Sequence, residues 1–307
     1  MTHLITGGSG INASHVVREL IKRGERPVIF DITQELLLVE EKKRVKMIKG
    51  DVTDLNKLLY TLKNENVDRI IHMAYLLGSL PRPPNITFKV NLIGTYNVLE
   101  AARILDLKKV VFISSWMVYG DDVSEKPMPE NYPKTPKTTY SAGKIALETW
   151  GEAYAETYGL DFTALRFSML YGPGRLCSTY KHLDVDLMLT NSVYGKPSRI
   201  VAGDEKVQWL YLKDMANAIL LASSCERPKH RVFNISSEEY YSIKEVADII
   251  RKLIPSANIN FVSSKREFPY TSRRIDYKAS REELGYTPQY TMESGLKDYV
   301  EWIRQNK

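Results

Sequence analysis

Three features of this 307-residue chain predict a doubly wound α/β fold, a parallel sheet with helices on both faces, carrying a smaller C-terminal lobe. Short apolar runs alternate with amphipathic stretches through the first half. A glycine-rich turn separates the first run from the first amphipathic stretch. From Phe167 onward the alternation loosens, interrupted at Tyr171-Gly172-Pro173-Gly174 and at Gly195-Lys196-Pro197. That change predicts residues 1–166 plus roughly 200–236 as the unit carrying the sheet. Residues 167–199 and 237–307 are expected to form the smaller lobe.

Each element follows from its local pattern. His3 to Thr6 is a short β-type run. Ala13 to Arg23 places Val16, Val17, Leu20 and Ile21 on one helical face. Pro27 to Phe30 and Val45 to Lys49 read as the second and third strands, and Leu55 to Asn64 as a helix. Arg69 to His72 is the fourth strand. Val90 to Leu105 reads as one long helix through Leu92, Val98, Leu99 and Ala102. Val110 to Ile113, Ser141 to Tyr158 and Thr163 to Arg166 complete the alternation as strand, helix and strand. Leu212 to Ser223 and Ser242 to Leu253 are the clear helices of the second half, the first expected to return to the sheet.

Composition removes several classes. The hydrophobic fraction of 43% and charged fraction of 26% are those of a globular domain, not of a disordered or fibrous chain. No apolar run reaches the ~18 residues of a membrane helix, and residues 1–10 lack the basic start and apolar core of a secretory leader. Cys177 and Cys225 are isolated, without metal-type spacing. A cytoplasmic protein with no metal and no membrane partner is expected. The net charge of +6 raises the question of nucleic acid, but Glu40-Glu41-Lys42-Lys43-Arg44 mixes signs and no basic stripe interleaves with aromatics. The anion expected is therefore a small one.

Thr6-Gly7-Gly8-Ser9-Gly10-Ile11-Asn12-Ala13 names it. Glycines between a strand and a helix let the backbone approach a pyrophosphate, which the free N–H groups of the helix start can hold. Asp31 ends the second strand, where a carboxylate accepts hydrogen bonds from both adenosine ribose hydroxyls and repels a 2′-phosphate. The cofactor predicted is NAD rather than NADP. Asp51 and Val52, after the third strand, are expected beside the adenine, although a turn role competes for Asp51.

Tyr140-Ser141-Ala142-Gly143-Lys144 supplies chemistry. The i, i+4 spacing puts both side chains on one helical face. A tyrosine is a poor base near neutrality, and an adjacent ammonium stabilises its phenolate. Ser114 and Ser115 follow the fifth strand at the edge where ligands bind in such sheets. Ser115, Tyr140 and Lys144 are the predicted catalytic set, acting on a substrate hydroxyl. Lys144 can also hold the nicotinamide ribose.

With these motifs the chain resembles the extended short-chain dehydrogenase/reductase family, in its NAD-dependent epimerase/dehydratase branch. The resemblance runs through His72-Met73-Ala74, Val90 to Thr95, Ser114 to Gly120, Leu165-Arg166, Tyr171-Gly172-Pro173, Tyr211 to Asp214, Phe233 to Ser236 and Asp276 to Pro288. It implies that residues 1–166 plus roughly 200–236 are a Rossmann domain binding NAD, that residues 167–199 and 237–307 are the substrate-binding lobe, and that a homodimer forms through helices near 92–105 and 141–158. It also implies cofactor contacts from Gly7, Gly10, Ile11, Asp31, Asp51, Val52, Met73, Ala74, Asn91, Ser114, Tyr140 and Lys144. Substrate contacts are implied for Leu77, Ser79, Ser115, Met117, Met169 and Arg175.

The resemblance also sorts reactions. Trp116 and Met117 stand where sugar 4,6-dehydratases resemble one another in Asp-Glu, and Met117 stands where decarboxylases carry Glu and the fucose-type epimerase-reductases carry Cys. A simple epimerase, like those acting on UDP-glucose at C4, is the expected function. Met169 and Val207 occupy positions where UDP-sugar epimerases usually have Asn and Arg. Arg166, Arg175, Lys181, Arg199, Arg273 and Arg274 are the other candidates to hold a phosphate. A second resemblance, through Leu76 to Ser79 and Ile275 to Tyr290, is to L-threonine 3-dehydrogenases. An NAD-binding sensor without catalysis is a further reading, against which the intact Ser115, Tyr140 and Lys144 argue.

Overall fold

The computed structural model describes residues 1–36, 42–77, 83–121, 126–175, 184–201, 204, 206–263 and 273–306. Its centre is a seven-stranded parallel sheet. The strands are β1 (Thr2–Thr6), β2 (Arg26–Asp31), β3 (Lys46–Lys49), β4 (Arg69–His72), β5 (Lys109–Ser115), β6 (Phe162–Phe167) and β10 (Val232–Ile235). Their order is β10-β6-β5-β4-β1-β2-β3, with β1 at the point where the connection reverses direction. All neighbours are parallel, which brings Thr6, Asp31, His72 and Ser115 to one carboxyl edge. Ligands bind at that edge in open sheets of this type.

Helices cover both faces. On one side α1 (Ile11–Lys22) and α7 (Leu212–Ser224) pack against each other, burying Val16, Val17, Leu20, Met215 and Ile219 over Ile5, Ile71 and Val111. On the other, α2 (Leu55–Asn64), α4 (Gly94–Ile104) and α5 (Thr139–Tyr158) close over Leu4, Val28, Phe112 and Phe162. The inner strands are thus buried on both faces, which is why Leu4-Ile5, Val28-Ile29-Phe30 and Val110-Val111-Phe112 are continuous apolar runs rather than alternating ones, while the edge strand β3 has no buried residue.

The long helix expected over 90–105 departs from that reading. After α3 (Pro84–Phe88), residues Lys89–Ile93 form a π-helical turn, and regular α-helix begins only at Gly94. A Cβ at Gly94 would lie 2.5 Å from the side chain of Val52, in the turn after β3, so α4 can approach that turn only through a glycine. The wide turn sets Asn91 inward, 1% exposed.

A second core lies beside the sheet. Strands β7 (Met169–Tyr171), β9 (Lys206–Tyr211) and β11 (Tyr240–Ser242) form a three-stranded sheet, and β8 (Ser198–Val201) pairs with β12 (Ile259–Val262). Around them pack α6 (Asp184–Val193), α8 (Ile243–Leu253) and α10 (Met292–Gln305), burying Trp116, Trp209, Tyr211, Leu296 and Tyr299. The short helix α9 (Lys278–Leu284) lies against β10 at the main sheet. The segment 200–236 is therefore shared. Its α7 and β10 join the main sheet, while β9 belongs to the small one, because β7 and β11 satisfy its backbone on both edges. Sequence periodicity marked none of these short strands.

Candidate active site

The turn between β1 and α1 is built for close backbone approach. Gly7 has φ +66°, and a Cβ there would stand 2.6 Å from the Ala74 backbone. The turn closes through Gly10 N–H donating to Gly7 O at 3.1 Å. Gly10 caps α1 without a side-chain acceptor, and the first turn contains no acidic residue. Uncapped N–H groups at a helix start that carries no acidic side chain of its own fit a pyrophosphate. Ile11 is buried beneath the turn.

Asp31 lies beside this cradle. Its carboxylate accepts from Ser9 N–H at 3.1 Å and from Thr33 N–H at 3.0 Å, which fixes its orientation and leaves acceptor capacity for hydroxyl groups. Asp51 is exposed and accepts from Thr53 N–H at 2.9 Å, an Asx-type turn. Val52 is 5% exposed, and its carbonyl accepts from the Asn97 amide at 2.9 Å. Its side chain belongs to the core under the site. Met73 and Ala74 line the approach to Gly7, and both of their N–H groups are bonded to Thr6, one to its carbonyl and one to its hydroxyl.

A hydrogen-bond relay that the sequence did not reveal runs behind the turn. Ala74 N–H donates to Thr6 Oγ1 at 3.4 Å, and Thr6 Oγ1 lies 2.6 Å from His72 Nδ1. On the other side His72 Nε2 lies 2.8 Å from Thr95 Oγ1, which donates to Asn91 O at 2.6 Å. The Thr95 proton is committed to that carbonyl, so His72 donates through Nε2 and accepts through Nδ1. Complete burial, with the Lys144 charge nearby, pushes the His72 pKa down to about 3. Asn91 finishes the relay by pairing its amide with both Leu76 N (2.7 Å) and Leu76 O (2.8 Å). Its amide groups thus shape the 74–77 loop, where Leu77 is half-buried. Ser79 lies outside the described residues.

The predicted catalytic residues come from two elements. Ser115 ends β5, and its hydroxyl accepts from Met117 N–H at 3.2 Å. Tyr140 and Lys144 occupy the first two turns of α5. That helix starts at residue 139 because Thr138 and Ser141 form a reciprocal capping box. Lys144 is 2% exposed; its Nζ donates to Ile113 O at 2.5 Å, two residues before Ser115. The same Nζ stands 3.3 Å from the Tyr75 ring centroid, 4.7 Å from that of Phe112 and 5.5 Å from that of Tyr140. Tyr75 meets Tyr140 edge to face at 5.4 Å, and burial pushes its hydroxyl well above the ordinary phenol range. Burial pushes Lys144 well below the ordinary ammonium range, opposed by Glu148. Lys144 thus lies between the Tyr140 ring and the strand that ends in Ser115.

Other expected contacts are placed differently. Ser114 turns inward and donates to Glu148 Oε1 at 2.5 Å. Arg166 is 1% exposed and forks onto both Glu148 oxygens, at 2.9 and 2.6 Å, so its charge is spent inside the protein rather than on a phosphate. Arg175 is likewise 2% exposed, 3.6 Å from Asp186. Arg273 is buried against the Trp116 ring and donates to Asp121 at 3.3 Å. Arg274 stacks over Tyr240, and Arg199 is exposed on β8. Met117 is 38% exposed, and Met169 is half-buried on β7. Cys177 and Lys181 lie outside the described residues. The described residues contain no cluster that could hold a metal ion, and no helix long and apolar enough to cross a membrane.

Comparison with known proteins decides the family. Residues 3–236 match the NAD dependent epimerase/dehydratase family. The chain belongs to that family. NAD is the cofactor of this enzyme family, and several solved structures of the same fold contain it. One epimerase/dehydratase relative is the putative UDP-glucose 4-epimerase of Methanocaldococcus jannaschii, 28% identical over 99% of this chain and 98% of that one. A dTDP-glucose 4,6-dehydratase of Haemophilus influenzae is 29% identical over 100% of this chain and 98% of its own length. The UDP-glucose 4-epimerase of Thermotoga maritima, solved with UDP-glucose, superposes with a TM-score of 0.89 at 25% identity, covering 100% of this chain and 99% of that one.

Proposed function

We propose that this family member is a nucleotide-sugar 4-epimerase that uses Ser115, Tyr140 and Lys144. The observation carrying the reading is the Lys144 side chain, anchored on Ile113 O at the end of β5 and facing the Tyr140 ring. NAD, when bound, supplies a hydride acceptor that can return the hydride to the same carbon. Tyr140, as phenolate, takes the proton from the substrate hydroxyl, and Ser115 donates a hydrogen bond to that oxygen. Lys144 stabilises the negative phenolate. The substrate passes through a ketone, and Tyr140 returns the proton after hydride comes back on the opposite face.

Elimination of water is not part of this proposal. The dehydratase Asp-Glu positions hold Trp116, which is buried in the second core, and Met117, which has no transferable proton. Gly7 to Ile11 would hold the pyrophosphate of NAD, and Asp31 the adenosine ribose.

The test is incubation of the purified protein with UDP-glucose or its 4-epimer, following product configuration and NADH absorbance. Inversion without net NADH supports an epimerase. Net NADH with L-threonine would instead support a dehydrogenase. One observation favours that second reading: Val207 is fully buried in β9, where UDP-sugar epimerases usually present Arg.

The proposed assembly is a homodimer. Tyr96 and Ile104 on α4, and Trp150 and Tyr158 on α5, are 39–57% exposed and form an apolar face that a second copy would cover. Sedimentation at micromolar concentration distinguishes dimer from monomer. The proposed compartment is the cytoplasm, and the proposed division keeps the NAD unit around the seven-stranded sheet with the substrate lobe on the second core.

A further inference from the structure

We propose that Glu148 is a positioning residue for the Ser115–Tyr140–Lys144 site, its buried carboxylate tying the catalytic helix to β5 and β6 and supplying the negative charge that Lys144 faces. The inference rests on the proposed roles of Tyr140 and Lys144. Glu148 lies one turn beyond Lys144 on α5, continuing the 140–144 spacing, and is 2% exposed. A buried carboxylate is costly unless it is fully bonded. This one accepts from the Ser114 hydroxyl at 2.5 Å and from two nitrogens of Arg166. Arg166 in turn donates to Tyr119 Oη at 2.7 Å and to Glu130 O at 2.8 Å, and Tyr119 donates to Asn234 Oδ1 at 2.8 Å. One carboxylate thus connects α5 to Ser114, next to Ser115 at the end of β5, to β6 and, through Arg166 and Tyr119, to β10.

Among the described residues, the electrostatic surroundings of Lys144 are few. On α5 they are Tyr140 and Glu148, with Glu152 one turn beyond. From β4 and its loop come His72, held neutral, and Tyr75, held protonated. From β5 comes the Ile113 carbonyl, and from β6 the Arg166 guanidinium, already forked onto Glu148. Desolvation drives the ammonium toward neutrality, and Glu148 opposes it. A neutral Lys144 could not stabilise a phenolate, so the Glu148 charge acts on Tyr140 through Lys144.

The test compares Glu148→Gln and the double variant Glu148→Gln/Arg166→Gln, in which buried charge is again balanced. The readout is the phenolate absorbance titration of Tyr140, isolated by subtracting the same titration in a Tyr140→Phe background, with and without NAD. Glu148→Gln is expected to raise the Tyr140 midpoint by about one pH unit, and the double variant, which also loses the Arg166 charge, by less. The double variant should also regain part of the Tm lost in the single one. A midpoint unmoved in both, with only Tm lowered, would make Glu148 a structural residue and overturn the proposal. Failure of the functional reading looks different: wild-type protein that inverts no sugar, whatever Tyr140 titrates at.

Discussion

His15 Nε2 on α1 stands 3.0 Å from the carbonyl oxygen of Pro173, joining the helix behind the glycine turn to the chain that leaves β7. The acceptor is a carbonyl, so His15 is the donor. Burial pushes its pKa down to about 4, so the ring is neutral near pH 7. His15→Ala removes that bond and leaves a cavity between α1 and the Pro173 turn. The expected cost is about 2 kcal/mol, read as a lowered urea midpoint with unchanged m. His15→Gln, which can still donate, should recover part of it; equal loss in both would show that the bond contributes nothing.

Stability against pH has a sign set by buried groups. His15 and His72 titrate near 6.5 when unfolded but only at about 4 and about 3 when folded. Between those values the unfolded chain binds more protons, so stability falls as pH drops through 6.5. Asp186 and Asp214, raised by burial to about 6, act oppositely, gaining stability as pH drops from 6 toward 4. At pH 5 each histidine has removed about 2 kcal/mol and each aspartate returned about 1. Tm should therefore decline modestly from pH 7 to 5. Asp214→Asn should steepen that decline, and a slope no steeper than wild type would refute the assignment.

Gly7 and Gly10 differ in what a methyl group would meet. At Gly7 it strikes the Ala74 backbone at 2.6 Å on a positive φ, whereas at Gly10 it meets only Gly7 O at 3.2 Å. Gly7→Ala should cost about 1–3 kcal/mol and weaken NAD binding, by calorimetry, far more than Gly10→Ala. Similar affinities for the two variants would count against a cradle at this turn.

Asp31 is held by two backbone N–H groups with acceptor capacity remaining. Asp31→Ala removes the hydrogen bonds proposed for the ribose hydroxyls. A loss of about 10- to 100-fold in NAD affinity is expected, without a gain for NADP. A wild-type preference for NADP would refute the assignment.

Tyr140→Phe keeps the ring against Tyr75 and removes the acid–base oxygen. Turnover should fall by about 10²- to 10⁴-fold while NAD remains bound. A Tyr140→Phe enzyme with full activity would exclude the proton-transfer role.

The sequence was most legible where one local rule dominates. Leu55–Asn64 and Arg69–His72 have the boundaries their patterns predict, because helix capping by Asp54 and a continuous apolar run each act within a few residues. The Gly7 turn and the Tyr140–Lys144 pair were legible for the same reason: a tight turn and an i, i+4 face are properties of neighbouring residues. Glu148 extends that face by one more turn, a signal present in the spacing but unreadable without its partners Ser114 and Arg166.

What the tertiary structure alone decided is which polar groups are used up. The alternation of strands and helices, the glycine turn, the placement of Asp31 at a strand end and the Tyr140–Lys144 spacing follow from sequence, since each is written in a short stretch of chain. That Arg166 is spent on Glu148, Arg175 on Asp186 and Asn91 on Leu76 depends on residues 11 to 18 positions apart meeting in space. The π-helical turn at Lys89–Ile93 and, among the described residues, the five short strands outside the main sheet arose the same way, from packing against distant elements that no local periodicity records. Burial makes each unpaired charge or amide costly, so the fold, not the residue type, determines whether a polar side chain faces a ligand or completes the interior.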